Sequence, residues 1–183
     1  MALNNRDSAG QYALSILSLL RLRHDRALAA AERAVQLNEN FALGYFALGE
    51  NHVFLGNFSE ALRPLTRCLR LSPLDPHSAT SINLIALANY HIGNYEEAAA
   101  CAERALQKRR MLVILQTACA ALGQLGRAAE ARPLISEMVR LRPHNFERHW
   151  QLINPYADPA HEEHLVDGLL KAGALDHQLA PVG

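Results

Sequence analysis

The residues best suited to chemistry are few. His161-Glu162-Glu163-His164 places two imidazoles and two carboxylates within four positions. A helical zinc site of the two-histidine type needs the histidines four apart with glutamate directly after the first, and here they are three apart. The spacing predicts solvated side chains in a first helical turn rather than metal ligation. Cys68, Cys101 and Cys119 are an odd number without short paired spacing, which argues against a disulfide framework or zinc knuckle and for a reducing compartment. Cys68 and Cys119 fall on stripes of small residues, where a thiol serves as a small hydrophobe. Cys101 lies off the stripe and is expected to be the more accessible, but no His-Asp constellation accompanies it for nucleophilic use. Lys108-Arg109-Arg110 reads as a solvated basic turn. With no glycine-rich phosphate loop and no paired-carboxylate site, the sequence assigns no catalytic residue, metal or cofactor, and predicts a chain that is not an enzyme.

Bulk properties narrow the partners. The 183 residues are 50% hydrophobic and 20% charged, enough for one extended core in a globular chain. Eighteen basic and eighteen acidic residues give a formal net charge of 0, so no global field draws the chain to nucleic acid or to an anionic membrane. Met1 to Gly10 lacks the layout of a signal peptide, and no apolar run approaches the roughly 20 residues of a membrane span. These features predict a cytoplasmic protein without membrane insertion.

The elements that position any site come from a repeat. Small or apolar triads at helical spacing recur four times, as Ala27/Ala31/Ala34, Ala61/Leu65/Cys68, Ala98/Ala102/Ala105 and Ala131/Ile135/Met138, at offsets of 34, 37 and 33 residues. Ahead of each stands a large-then-small or small pair, Leu14/Ser15, Leu48/Gly49, Ile85/Ala86 and Ala118/Cys119, where a short side chain lets a second helix approach. The turns Gly56-Asn57-Phe58-Ser59-Glu60-Ala61 and Gly93-Asn94-Tyr95-Glu96-Glu97-Ala98 end one helix on glycine and open the next on asparagine. Asn with Glu three later predicts a capping box. Gly126-Arg127-Ala128-Ala129-Glu130-Ala131 keeps the glycine and glutamate, whereas Leu22-Arg23-His24-Asp25-Arg26-Ala27 keeps only the alanine frame. The second helices close at Leu37, Leu71 and Leu141, with Pro73 and Pro143 following the latter two.

This pattern resembles the tetratricopeptide repeat (TPR), whose unit is a helix-turn-helix of similar length. The resemblance implies an all-α superhelix, an α-solenoid, with repeats at 8–41, 42–78, 79–111 and 112–145, the second carrying a longer loop, and C-terminal capping helices and tail at 146–183. Residues 1–7 fall in phase with the end of a preceding repeat, as in a segment of a longer protein, or form an N-terminal arm. The resemblance also implies a partner-binding concave groove lined by first helices. Carried across by register, its columns are Tyr12, Phe46, Asn83 and Gln116; then Ile16, Glu50, Leu87 and Ala120; then Leu19, Val53, Tyr90 and Gly123. Chaperone-binding members clamp a terminal carboxylate with Lys, Arg and Asn there, and these columns hold no Lys or Arg. An apolar or amphipathic peptide is expected instead, with Glu50 reading a basic group. The alternative is that the apolar wall packs on an upstream repeat or on a second copy of the chain.

Beyond Asn145 the repeat is lost. Phe146 to Ile153, with Trp150, is expected to form one more helix. Asp158-Pro159 then caps a final helix that ends at Lys171-Ala172-Gly173, and its Leu165, Val166, Leu169 and Leu170 are expected to cover the end of the fourth repeat. Asn154 to Ala160 and Leu165 to Gly173 resemble the tail of proteobacterial signalling proteins in which a class III adenylate/guanylate cyclase domain precedes TPRs. That implies a non-catalytic docking or regulatory scaffold within a bacterial signalling protein, its partner a protein or peptide. A homodimer or other assembly through exposed repeat ends, and the sensor of a transcription regulator, are the alternatives.

Overall fold

The computed structural model describes residues 7–141 and 154–174. Within them the chain is all helical, in the order α1 (Ser8–Leu19), α2 (His24–Leu37), α3 (Ala42–Phe54), α4 (Phe58–Leu71), α5 (Ser78–Ile92), α6 (Tyr95–Lys108), α7 (Leu112–Gln124), α8 (Ala128–Leu141) and α9 (Pro159–Lys171). The expected helix at Phe146 to Ile153 and the repeat-like start before Asp7 lie outside the described residues.

Helices α1 to α8 pair as hairpins, α1 with α2 through α7 with α8, and each second helix packs on the first helix of the next hairpin. First helices also touch one another, α1 on α3, α3 on α5 and α5 on α7, and so form a continuous inner wall. This is the α-solenoid of the TPR type, in which no hairpin buries its apolar face alone.

Close approach within each hairpin follows from the small residues. Ala27, Ala31, Ala34, Ala61, Ala98, Ala102, Ala105 and Ala131 are fully buried. On the facing helix, Ser15 Oγ donates to the Ala27 carbonyl at 2.8 Å, and Cys119 Sγ lies 4.0 Å from that of Ala131. A Cβ on Gly49 would stand 2.7 Å from Leu65 Cδ2 and 3.3 Å from the Ala61 carbonyl oxygen. The same step of the repeat thus brings a small side chain onto the first alanine of the partner helix. Asn51 joins neighbouring hairpins by donating to Ser15 Oγ at 2.9 Å and to the Ala47 carbonyl at 2.7 Å.

The turns are uniform in backbone and not in sequence. Asn57 N donates to the His52 carbonyl, Asn94 N to Asn89 and Arg127 N to Leu122, in each case following a glycine of positive φ, at Gly56, Gly93 and Gly126. The first turn makes the same bond, Arg23 N to the Ser18 carbonyl at 2.9 Å, with Leu22 held at φ 54°. Asn57 and Asn94 occupy the N-cap positions, but neither side chain makes a capping hydrogen bond. Asn94 instead directs its amide to Asn89 Oδ1 at 3.4 Å, so the expected capping box does not form. In the longer second connection Asp75 Oδ1 accepts from His77 N at 2.7 Å and pairs with its ring at 2.9 Å. These bonds hold the Asp75 carboxyl below its usual range.

Leu22 is half exposed, so its backbone strain is not offset by burial. Leu22→Gly should stabilise the protein by about 1 kcal/mol, and Gly93→Ala, whose Cβ would meet no neighbour, should destabilise it by about 1 kcal/mol. Chemical denaturation of the two variants measures both.

Candidate functional site

The inner wall does not remain open along its length. The extended segment Asn154–Asp158 and α9 fold back across it, so that α9 lies on α7 and reaches α5 rather than stacking beyond the last hairpin. The expectation that α9 covers the end of the fourth repeat is corrected to this extent: Leu165 and Leu169 are buried on the inner face. Glycines permit the contact. A Cβ on Gly123 would clash with the Gly168 carbonyl and fall 2.6 Å from Ala172 N, while one on Gly168 would clash with the Tyr90 hydroxyl and fall 2.8 Å from the Ala120 carbonyl oxygen.

Polar and aromatic contacts fix the register of this strap. The Tyr90 hydroxyl donates to the His164 carbonyl at 2.5 Å, and its ring stacks on His164 at 4.6 Å. Ala157 N donates to the Phe54 carbonyl at 2.8 Å, and Phe54 meets Tyr156 edge to face. His91 bonds the Tyr156 hydroxyl at 2.7 Å and His164 Nδ1 at 3.2 Å, and stacks on Phe58 at 4.5 Å. Gln124 donates to Asp167 at 2.8 Å, and Lys171 pairs with Asp167 at 2.6 Å. His161 and His164 are therefore packing groups facing Phe58, Tyr90, His91 and Tyr95, not solvated first-turn side chains. Burial, then repulsion from His164 and His161, pushes His91 down to about 3. Burial also lowers His164 and raises Tyr90 and Tyr156.

Above the strap the wall encloses a cavity of about 330 Å³. Tyr12, Ile16, Leu19, Phe46, Glu50, Asn83, Leu87 and Gln116 line it together, contributed by α1, α3, α5 and α7. Val53 and Tyr90 are fully buried and do not line it; Val53 lies in the core and Tyr90 lies beneath α9. Phe54, Leu84, Asn154, Pro155 and Leu165 also contribute, the last three from the C-terminal segment. Their role was not legible in the repeat because they follow it; the only hint was a glycine, Gly168, inside a strongly capped helix.

The chemistry of the cavity is apolar and acidic. Glu50 makes no ion pair or hydrogen bond among the described residues, and burial pushes its carboxyl up to about 7. Among the described residues no Lys or Arg lines the cavity. Among the described residues, both amide atoms of Gln116, 1% exposed, lack a hydrogen-bond partner, as do Asn83 Oδ1 and Asn154 Nδ2, in side chains 4% and 6% exposed. Elsewhere, Cys101 is buried rather than accessible, with its thiol on Glu97 at 3.2 Å, and burial with Glu97 pushes it up to about 11. Burial pushes Cys119 up to about 12, and Cys68 is raised as well. Buried, protonated thiols of this kind are poor nucleophiles. Among the described residues no group of three or more His, Cys, Asp or Glu is placed to hold a metal ion, and no helix is long and apolar enough to cross a membrane.

Comparisons agree with this architecture. The tetratricopeptide repeat family matches residues 78–113, the hairpin of α5 and α6. The solved structure of YrrB, described as a TPR protein with an unusual peptide-binding site, superposes with a TM-score of 0.60 at 18% identity, over 92% of this chain and 86% of that one. DnaJ homolog subfamily C member 7 is 28% identical in mouse and 27% in human over 153 residues, 77% of this chain. The chain spans 30% of the length of these curated relatives. Fold and repeat together define an all-α solenoid of the TPR type, with a tetratricopeptide repeat at residues 78–113.

The buried imidazole has a thermodynamic consequence. An unfolded chain protonates His91 near 6.5 while the folded chain keeps it neutral to about 3, so its contribution is complete above 6.5 and is lost as pH falls toward 3. Glu50 works in the opposite direction, so the readout is a difference between proteins. Thermal melts at pH 7 and pH 5 should show wild type losing about 1–2 kcal/mol more than His91→Phe.

Proposed function

We propose that the chain is a non-catalytic docking module that holds an apolar or amphipathic protein segment in the cavity on its inner wall, with Glu50 as the charged contact. One observation carries the reading: four first helices and the C-terminal strap together line a largely apolar cavity that holds, among the described residues, one carboxylate and no Lys or Arg. Apolar lining with a few placed polar groups is the usual composition of a ligand site. The likeness to YrrB supports a peptide as ligand, given the peptide-binding site that protein is described as having. The tail resemblance and the Arg-rich composition, 16 Arg to 2 Lys, support a cytoplasmic role as the docking or regulatory end of a bacterial signalling protein with a cyclase-like parent.

A second reading, self-assembly through the first hairpin, is favoured by exposed Leu17, Leu20 and Leu22, which cluster at the end of α1 and its turn. It differs in that sedimentation would then show a concentration-dependent dimer.

Phe46 and Leu87 form part of the apolar lining from two different helices. In fluorescence anisotropy against a panel of apolar and amphipathic peptides, Phe46→Ala and Leu87→Ala should each weaken the best binder about tenfold with helicity retained. Unchanged affinity in both variants would refute the groove assignment.

A further inference from the structure

The cavity is more specific than a groove, because it has an end. Asn154–Pro155 and Leu165 stand across the inner wall on the side of the strap, and the strap is anchored by backbone contact at Gly123 and Gly168. A peptide running the length of the solenoid would have to displace this buried segment, whereas a chain terminus can enter and stop. A terminus carries charge, and the lining selects its sign. A carboxylate would meet Glu50 with no Lys or Arg among the described lining residues to receive it. Asp75 adds further negative potential at the Tyr12 side, and His77, which also lines the cavity, has its ring engaged by Asp75 at 2.9 Å. An ammonium meets the opposite situation, a partly buried carboxylate without a cationic partner among the described residues.

The buried amides supply a second, independent observation. Gln116 presents both a donor and an acceptor without partners among the described residues, Asn83 an acceptor and Asn154 a donor, all in side chains more than nine-tenths buried. Buried polar groups are ordinarily satisfied, and an unpaired one marks a place where a ligand can supply the bond. A peptide unit offers one N–H and one carbonyl, the complement of a primary carboxamide. Tyr12, Phe46 and Leu87 then provide apolar surface for the side chains of the first residues.

We propose that the cavity receives the free amino terminus of an apolar peptide, with its ammonium on Glu50 and its first peptide units on the amides of Asn83, Gln116 and Asn154. The proposal rests on the groove reading above and names the end of the partner that enters. It is the reverse in polarity of a carboxylate clamp.

The test is affinity selection on the intact chain, read by mass spectrometry, with C-terminally amidated tetrapeptides bearing Leu, Ile, Phe or Tyr at their first two positions. The pool is offered with free and with acetylated amino termini. The free-amine pool should be retained at least about tenfold better. Glu50→Gln should lower its retention to that of the acetylated pool without changing the latter, and Gln116→Leu should weaken both pools by a similar factor. Equal retention of the two pools by wild type would overturn the amino-terminal assignment and leave the groove reading standing. Retention of neither pool at about 1 mM would overturn both. Better retention of the same tetrapeptides with a free carboxyl terminus would overturn the proposed polarity.

Discussion

Close backbone approach is the constraint on which the structure depends. Within each hairpin a position on the first helix must be small, filled by Ser15, Gly49, Ala86 and Cys119, because it faces the alanine-rich stripe of the second helix. Short side chains bring helix axes together and let the remaining large residues interdigitate, which is how a two-layer array buries a continuous core from short amphipathic helices. The same constraint recurs between Gly123 on α7 and Gly168 on α9, now outside the repeat. One device builds the solenoid, and a second use of it closes the solenoid's inner face.

Closure is what changes a generic wall into a site. In an open array the first helices present a long apolar trough; here Tyr90 and Gly123 are covered by α9, and what remains uncovered is a cavity of about 330 Å³ bounded by Leu165 and Asn154. His91 and His164 take part in this closure as rings whose burial disfavours protonation, stacked and hydrogen bonded among Phe58, Tyr90, Tyr95 and Tyr156. A protonated ring there would leave charge in a buried aromatic cluster, an expensive arrangement in low dielectric. Glu50 poses the corresponding cost on the other side of the cavity, where burial favours its neutral form and an incoming cation would favour its charged form.

Much of the solenoid was legible because local chemistry and long-range packing point the same way. The small-residue stripes fall on the buried faces, and α2 and α4 end at Leu37 and Leu71 as read from the chain. Leu22 was not legible as a turn residue of positive φ, since its side chain gives no reason to adopt that backbone; it stands where glycine stands in the other turns, beside the same backbone bond, here Arg23 N to the Ser18 carbonyl. Asn57 and Asn94 were read correctly as the residues that open the second helices and wrongly as side-chain caps, because a turn bonded through its own backbone does not require one. Eight of the groove residues face one cavity because register carries directly from repeat to repeat. The strap's destination was hidden for a different reason: an apolar stripe such as Leu165 and Leu169 states that a helix is covered, not by what, and only the paired glycines identify the surface.

The central claim is that α9 is docked on the inner wall by the Gly123–Gly168 contact and that this docking defines the cavity. Hydrogen–deuterium exchange of the intact chain, comparing wild type with Gly168→Val, tests it most directly. The account predicts protected α9 amides in wild type, and in the variant a selective loss of that protection while α3 to α6 remain protected. Unprotected α9 amides in the wild type, or α9 protection unchanged by the valine, would contradict it.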